Sequence, residues 1–67
     1  MKNNIKIERA RKNITQAQLA QLAKVSRQTI NSMELCKYVP STVLSLRLSK
    51  VFETTVNQIF ELEEEDF

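Results

Sequence analysis

The sequence predicts an all-α domain built from five short helices around one shared core. Two observations favour this fold class. Helix-capping residues recur along the chain at intervals of one short helix, and the apolar residues between them repeat with the three- and four-residue spacing of amphipathic helices. The chain has 67 residues, near the lower limit for folding around one core, so the whole of 1–67 is expected to form a single domain. Helices this short are not stable alone and must share that core.

The first helix is predicted over about residues 5–12. Asn4 stands where the N-cap is expected, and Asn13 follows the helix as a residue type that tolerates left-handed backbone. The segment MKNN before this helix and the acidic tail at residues 61–67 follow no helical pattern. The tail is interpreted either as an extended edge that pairs with MKNN in a short β-ribbon or as a frayed end.

The next two helices are predicted over about residues 16–23 and 27–35, separated by a tight turn. Thr15 and Gln18 match the capping box S/T-x-x-E/Q, which begins the first of them. Ser26 is expected to cap the second. The apolar residues expected to face inward from this pair are Leu19, Ala20, Leu22, Ala23, Val25, Ile30 and Met33.

The last two helices follow Pro40, which stops the preceding segment. Ser41 is expected to cap a helix of about residues 42–52, and Thr55 is expected to cap a short fifth helix. The residues predicted to face inward are Leu44, Leu48, Val51 and Phe52 of the fourth segment and Val56, Ile59 and Phe60 of the fifth. These side chains would complete the shared core.

Charge divides the chain into two parts. Residues 1–50 hold all ten Lys and Arg and only two carboxylates, a net charge of +8, whereas residues 51–67 hold the other six carboxylates. A basic body with an acidic end indicates a polyanionic partner for the first part. No apolar run reaches the roughly 18 residues of a membrane span, and the N-terminus lacks a signal-peptide core. With one cysteine and no internal disulfide, the chain is expected to be soluble and cytoplasmic.

The sequence lacks the patterns of catalytic and metal sites. It contains no histidine and no glycine-rich phosphate loop, and Cys36 has no histidine to activate it. One cysteine and scattered carboxylates do not make a metal site. We therefore expect no enzymatic activity, no metal, no cofactor and no small-molecule ligand.

A polar second helix after a tight turn is the arrangement of a helix-turn-helix, here over about residues 16–35. Steps of about 100° per residue from the inward-facing Ile30 put Gln28 and Ser32 on the outer face. Such a helix fits the major groove, about 12 Å wide, and its first turn enters deepest. Arg27 and Gln28 stand in that turn, and their side chains can pair with guanine and adenine. The pattern predicts binding to double-stranded DNA.

The stretch TQAQLAQLAKVSRQTINSMELCKYVPS resembles the helix-turn-helix of Cro and phage repressors. It is most similar to that of short, single-domain bacterial and archaeal transcriptional regulators. SRQTIN and KYVPS are its most specific parts, VNQIF resembles the fifth helix of the family, and the resemblance covers residues 3–62. It implies a five-helix fold, a homodimer on a two-fold-related operator and no catalysis. We expect a transcriptional regulator that represses by occupying a promoter.

The resemblance and the angular positions together assign functional residues. Base contacts are expected from Arg27, Gln28 and Ser32, with Asn31 as a further candidate. Contacts to the DNA backbone are expected from Gln16, Ser26, Thr29, Lys37, Tyr38 and Ser41. Arg9 and Glu34 match a structural ion pair of the family between the first helix and the end of the third.

Three departures from the family pattern bear on local geometry. Leu35-Cys36 replaces the usual Asn-Gly after the third helix, where the chain commonly needs a positive φ, so Cys36 is expected to be strained. Glu8 and Thr42 stand where leucine is common, which is expected to thin the core. Glu53 replaces a common glycine after the fourth helix.

Assembly and the alternative functions depend on the second half of the chain. The apolar residues expected at a homodimer interface are Leu46, Val56, Phe60 and Leu62. A second interpretation is an antitoxin-type protein-interaction module that also binds DNA, although the acidic tail is short for wrapping a partner. A third, a structural helical dimer without a DNA role, leaves the polar cluster on the third helix unexplained.

Overall fold

Five α-helices and one two-stranded antiparallel ribbon make up the protein, as seen in a computed structural model that describes Met1–Phe67. In chain order the elements are β1 (Lys2–Asn3), α1 (Ile5–Lys12), α2 (Gln16–Ala23), α3 (Arg27–Glu34), α4 (Thr42–Phe52), α5 (Val56–Ile59) and β2 (Phe60–Glu61), followed by a 3-10 turn at Glu64–Asp66. The predicted all-α fold with a short terminal ribbon is confirmed. None of the helices combines the length and the apolar character that crossing a lipid bilayer requires.

Four helices begin at the capping residue that the sequence predicts. Thr15 and Gln18 form a reciprocal capping box, in which Thr15 Oγ1 accepts from the Gln18 N–H at 3.1 Å and Gln18 Oε1 accepts from the Thr15 N–H at 2.8 Å. The hydroxyls of Ser26, Ser41 and Thr55 accept from the amide three residues further on, at 3.1, 3.1 and 3.2 Å. Each such cap contributes about 1 kcal/mol to stability.

The prediction that the Asn4 side chain caps α1 is wrong. Asn4 precedes the helix, but its side chain makes no capping hydrogen bond. Its Nδ2 donates instead to the Gln58 carbonyl at 3.1 Å, while Asn3 Oδ1 accepts from the Ile5 N–H at 3.2 Å. The end of α5 thus offers Asn4 an acceptor that only the tertiary fold brings within reach.

Eleven buried apolar residues form one core cluster, to which all five helices and β2 contribute. They are Ile5, Leu19, Ala20, Ala23, Ile30, Met33, Leu44, Leu48, Phe52, Ile59 and Phe60. Phe60 was predicted in the fifth helix, but it lies in β2 and still faces the core. Leu22, predicted to face inward, is 56% exposed. Its position is about 100° around α2 from the middle of that helix's buried residues, which leaves it outside the contact with the core.

Glu8 and Thr42, which stand where leucine is common in the family, have different consequences for the core. Glu8 is the one polar residue among the buried residues, 6% exposed, and its Oε2 lies 3.3 Å from Arg11 Nη1 at the surface. Glu8 therefore occupies a position that an apolar side chain would fill. Thr42 is exposed, so the expectation that it thins the core is wrong. As the first residue of α4 it lies before the apolar stripe of that helix begins.

Four residues have positive φ, and none of them is glycine because the chain contains none. They are Asn13 (55°), Lys24 (61°), Cys36 (60°) and Glu53 (54°). Asn13, Lys24 and Glu53 directly follow helices, and Cys36 lies two residues beyond the last residue of α3. Left-handed backbone costs a residue with a Cβ about 1–2 kcal/mol, and Asn tolerates it best. The positive φ expected at Cys36 is therefore present, with its strain.

The ribbon joins the two ends of the chain. β1 and β2 pair antiparallel with Lys2 opposite Glu61, so of the two interpretations of the acidic tail the ribbon is correct. Beyond β2 the chain turns back, and carboxylate oxygens of Glu63 and Asp66 lie 3.1 and 3.0 Å from the Met1 amino nitrogen. The acidic segment is thus held against the basic N-terminal segment by opposite charge.

Candidate nucleic-acid interface

The contact between α2 and α3 decides which face of α3 is exposed. Lys24, Val25 and Ser26 form the turn between the two helices, and Val25 packs against the core. Ile30 and Met33 hold the inner face of α3, with 0% and 1% of their surface exposed. Side chains on the opposite side of the helix therefore face solvent.

The predicted base-contacting residues differ in exposure. Arg27, Gln28 and Asn31 are exposed, whereas Ser32 is half-buried. Arg27 and Gln28 are the first two residues of α3, directly after the Ser26 cap. Two of the three exposed side chains therefore lie in the first turn, and Asn31 and the half-buried Ser32 follow about one turn later.

Gln16, the first residue of α2, connects the two helices through its side-chain amide. Its Nε2 donates to Asn31 Oδ1 at 3.1 Å and to Glu34 Oε1 at 3.2 Å. Its Oε1 accepts from Arg27 Nη1 at 3.3 Å. One amide thus orients polar side chains near both ends of α3. No local sequence pattern indicates these contacts, because they depend on the crossing of α2 and α3.

Arg9 and Glu34 form a two-point ion pair between α1 and the end of α3. Arg9 Nε lies 2.7 Å from Glu34 Oε2, and Arg9 Nη2 donates to Glu34 Oε1 at 3.1 Å. The side chains are 16% and 8% exposed. Burial by itself raises the pKa of Glu34, but hydrogen bonds from Arg9 and Gln16 outweigh it, so that pKa lies below its ordinary value. The hydrogen bond with Glu34 raises the pKa of Arg9.

The residues predicted to contact the DNA backbone lie near the ends of helices. Ser26 Oγ caps α3 and lies 3.0 Å from Thr29 Oγ1. Lys37 and Tyr38 are exposed in the loop after α3, and Ser41 caps α4. The N-terminus of a helix carries a partial positive charge that attracts phosphate. The capped N-termini of α3 and α4 and the exposed Lys37 are therefore groups that can attract anionic oxygens.

The loop after α3 is held by the N-terminal ribbon. Asn3 Nδ2 donates to the Met33 carbonyl at 2.7 Å and approaches Cys36 Sγ at 3.7 Å. The Lys37 N–H donates to the Ser32 carbonyl at 2.8 Å. Asn3 therefore contacts the chain on both sides of the point where α3 ends. Sequence reasoning missed this role, since nothing in the spacing connects Asn3 with a loop more than thirty residues away.

The four residues predicted at a dimer interface are exposed to different extents. Leu46 and Leu62 are each 58% exposed, and Val56 is half-buried. Phe60 is 8% exposed, because its side chain packs in the core of the same chain. Of these four side chains, only Leu46 and Leu62 therefore leave most of their surface exposed.

Comparison with known proteins identifies the family. A family model described as helix-turn-helix matches residues 5–59. An uncharacterized HTH-type transcriptional regulator of Bacillus subtilis, YgzD, is 41% identical over 66 residues, covering 98% of this chain and 100% of the relative. Regulators of the same description from Methanocaldococcus jannaschii and Archaeoglobus fulgidus are 42% and 39% identical, each over 98% of this chain and over 100% and 93% of the relatives.

The match extends beyond the two central helices. The region covered by the family model contains every helix from α1 to α5. The resemblance to the helix-turn-helix of Cro and phage repressors is thereby confirmed. The chain therefore belongs to the helix-turn-helix family of transcriptional regulators.

Proposed function

We propose that this regulator binds double-stranded DNA in a sequence-specific manner, as a homodimer on a palindromic operator, and represses transcription by occupying a promoter. The observation that carries the proposal is that α3 is packed on one face and exposes polar side chains in its first turn. Its inner face is fixed by Ile30 and Met33, while Arg27 and Gln28 are exposed in its first turn. Catalysis forms no part of the proposal, and the proposed place of action is the cytoplasm.

Base recognition in this proposal depends on Arg27, Gln28, Asn31 and Ser32. An arginine pairs with two acceptors of guanine, and a glutamine pairs with the donor and acceptor edge of adenine. The hydrogen bond between Arg27 and Gln16 supports this assignment, since it limits the rotamers of a long side chain before DNA arrives. Asn31 is oriented by the same amide.

Positioning on the duplex is assigned to groups on both sides of α3. Gln16 and Ser26 stand at helix N-termini, Thr29 lies beside Ser26, and Lys37 and Tyr38 follow α3. Contacts of these types to phosphate fix the register of a protein on DNA without distinguishing sequences. Ser41 adds the N-terminus of α4, whose eleven residues give it the largest dipole of the five helices.

The homodimer is supported by exposed apolar surface and by the geometry of DNA. Leu46 of α4 and Leu62 of the tail expose large apolar side chains, and Val56, the first residue of α5, is half-buried. A two-fold dimer would present two copies of α3 about 34 Å apart, one turn of B-DNA. In this arrangement Phe60 supports the interface from within the core of each chain.

Selection from a random pool of duplex DNA tests the proposal. We expect an enriched motif with two-fold symmetry and half-site centres about one helical turn apart. Sedimentation at tens of micromolar, with and without the selected DNA, is expected to show a dimer. A pool that shows no enrichment after several rounds contradicts specific binding, and an enriched single half-site with a monomer in sedimentation contradicts the dimer alone.

A further inference from the structure

The outer face of α3 ends in an exposed apolar residue. Gln28, Ser32 and Leu35 are spaced by four and then three residues, so helical steps of about 100° place them within an arc of about 60°. Leu35 directly follows the last residue of α3 and is 56% exposed. A single exposed leucine on a protein surface needs no explanation. This leucine continues the line of side chains that the proposed function assigns to base edges.

The backbone holds Leu35 in that line. The Leu35 N–H donates to the Asn31 carbonyl at 3.0 Å, so the helical geometry of α3 extends to this residue. Cys36 then takes positive φ, and the Cys36 N–H donates to the Met33 carbonyl at 2.9 Å. The chain turns away from the outer face immediately after Leu35. The side chain is therefore the last one that α3 presents on this face.

The chemistry of leucine limits what Leu35 can contact in the groove. Its side chain has no hydrogen-bond donor or acceptor, so it cannot pair with a polar base edge or a phosphate oxygen. The one apolar group in the major groove is the 5-methyl group of thymine. Leu35 lies about 10.5 Å along the helix from Gln28, at about 1.5 Å per residue, a distance of about three base pairs.

We infer that Leu35 contacts the 5-methyl group of a thymine in each half-site, about three base pairs from the base that Gln28 contacts, and thereby adds to sequence specificity. The inference rests on the proposed function, because it requires α3 to lie in the major groove. It assigns selectivity for thymine to the end of α3 opposite from Arg27 and Gln28.

Deoxyuridine provides the test, since it pairs as thymidine does and lacks only the methyl group. One thymine position of the half-site is tested at a time. In each operator, the thymine at that position is replaced by deoxyuridine in both half-sites. The wild-type protein is expected to lose about fourfold in affinity per half-site at one position, the effect of removing one buried methyl group from an apolar contact. Leu35→Ala is expected to bind the thymine and deoxyuridine operators equally at that position.

Leu22→Ala is the matched control, because Leu22 on α2 is also 56% exposed. It is expected to retain the wild-type preference for thymine, and thermal melts of both variants are expected to match the wild type, since neither side chain is in the core. If Leu35→Ala keeps the full loss on deoxyuridine, or no thymine position is sensitive in the wild type, the inference is overturned while specific binding stands. If no operator is enriched at all, the proposed function fails and the inference falls with it.

Discussion

The two ends of α3 use their polar side chains differently. At the C-terminal end, the Glu34 side chain is 8% exposed and is bound by both Arg9 and Gln16. At the N-terminal end, Arg27 and Gln28 are exposed, and Arg27 makes a long hydrogen bond of 3.3 Å to Gln16. One end of the helix is thus anchored in the protein, while the other keeps its hydrogen-bonding groups available. Variants of the largely buried Glu34 side chain and its ion-pair partner should change stability, and variants of Arg27 and Gln28 should change DNA binding.

The largest effect is expected from breaking the ion pair at the anchored end. Glu34→Ala or Arg9→Ala leaves an unpaired charge in a largely buried position, so each should lower the free energy of unfolding by about 3 kcal/mol. The double variant should lose less than the sum of the two, because the residues share one interaction. Urea melts of the four proteins measure this.

Lys12→Ala is the control for that comparison. Lys12 Nζ and Glu53 Oε1 are also 2.7 Å apart, but the Glu53 side chain is 77% exposed, so the loss should be small. Equal losses for the buried and the exposed pair, or additive losses for Arg9 and Glu34, would show that the anchored end is not stabilised by this contact.

A gain in stability is expected just beyond the anchored end. Cys36→Gly removes the cost of left-handed backbone at φ 60°, and after the added freedom of glycine in the unfolded chain it should stabilise the protein by about 1 kcal/mol. Asn13→Gly is the control, since asparagine tolerates φ 55° with little strain and should change stability less. Thermal melts compare the two. A Cys36→Gly protein that melts below the wild type would mean that the turn depends on the thiol contact with Asn3.

The anchored end should also respond to acid. Because the folded-state pKa of Glu34 is depressed, its charge contributes stability above its unfolded pKa of about 4.3, and this contribution is lost as pH falls through the folded value. The difference in urea midpoint between the wild type and Glu34→Gln should therefore be constant near neutral pH and shrink below about pH 4. A difference that grew on acidification would have the wrong sign for a paired carboxylate.

The smallest of these effects is expected for one phosphate contact. Lys37→Ala should weaken binding to all DNA sequences alike and reduce the slope of log affinity against log salt by about 1. Lys12→Ala is the comparison, since its charge already meets Glu53, and it should leave the slope closer to that of the wild type. A changed base preference with an unchanged slope would remove Lys37 from the backbone contacts.

Local patterns predicted the helices well and the contacts between them poorly. Capping residues such as Thr15 and Ser26 act within three residues of themselves, so the sequence shows both partners of the hydrogen bond. The side chain of Asn4 instead binds Gln58, far away in the chain. The prediction that Leu22 faces inward was wrong for a related reason. A residue at the margin of an apolar stripe is buried or exposed according to how the neighbouring helices cross.

The candidate site shows the same division. The exposure of Gln28 could be expected from the helical period and the inward-facing Ile30, whereas the period places Arg27 nearer the core side, and its exposure follows from a long side chain in the first turn of the helix. The bridging role of Gln16 could not be expected, because the amide makes its hydrogen bonds only when α2 and α3 are packed. The positive φ of Cys36 was predictable from the family pattern. The contacts of Asn3 with Met33 and Cys36 were not, because they depend on the ribbon.

Competition binding with Gln28→Ala tests the central claim, that the free end of α3 distinguishes DNA sequences. Affinities of the wild type and the variant are measured at one salt concentration, on the selected operator, on operators with single base-pair changes, and on random duplex. Loss of one bidentate base contact should cost about 1–3 kcal/mol on the operator and almost nothing on random DNA. Arg27→Ala should behave similarly but also lose some affinity for all DNA, because its charge attracts phosphate. If Gln28→Ala weakens operator and random DNA equally, α3 positions the protein without distinguishing sequences, and the account is contradicted.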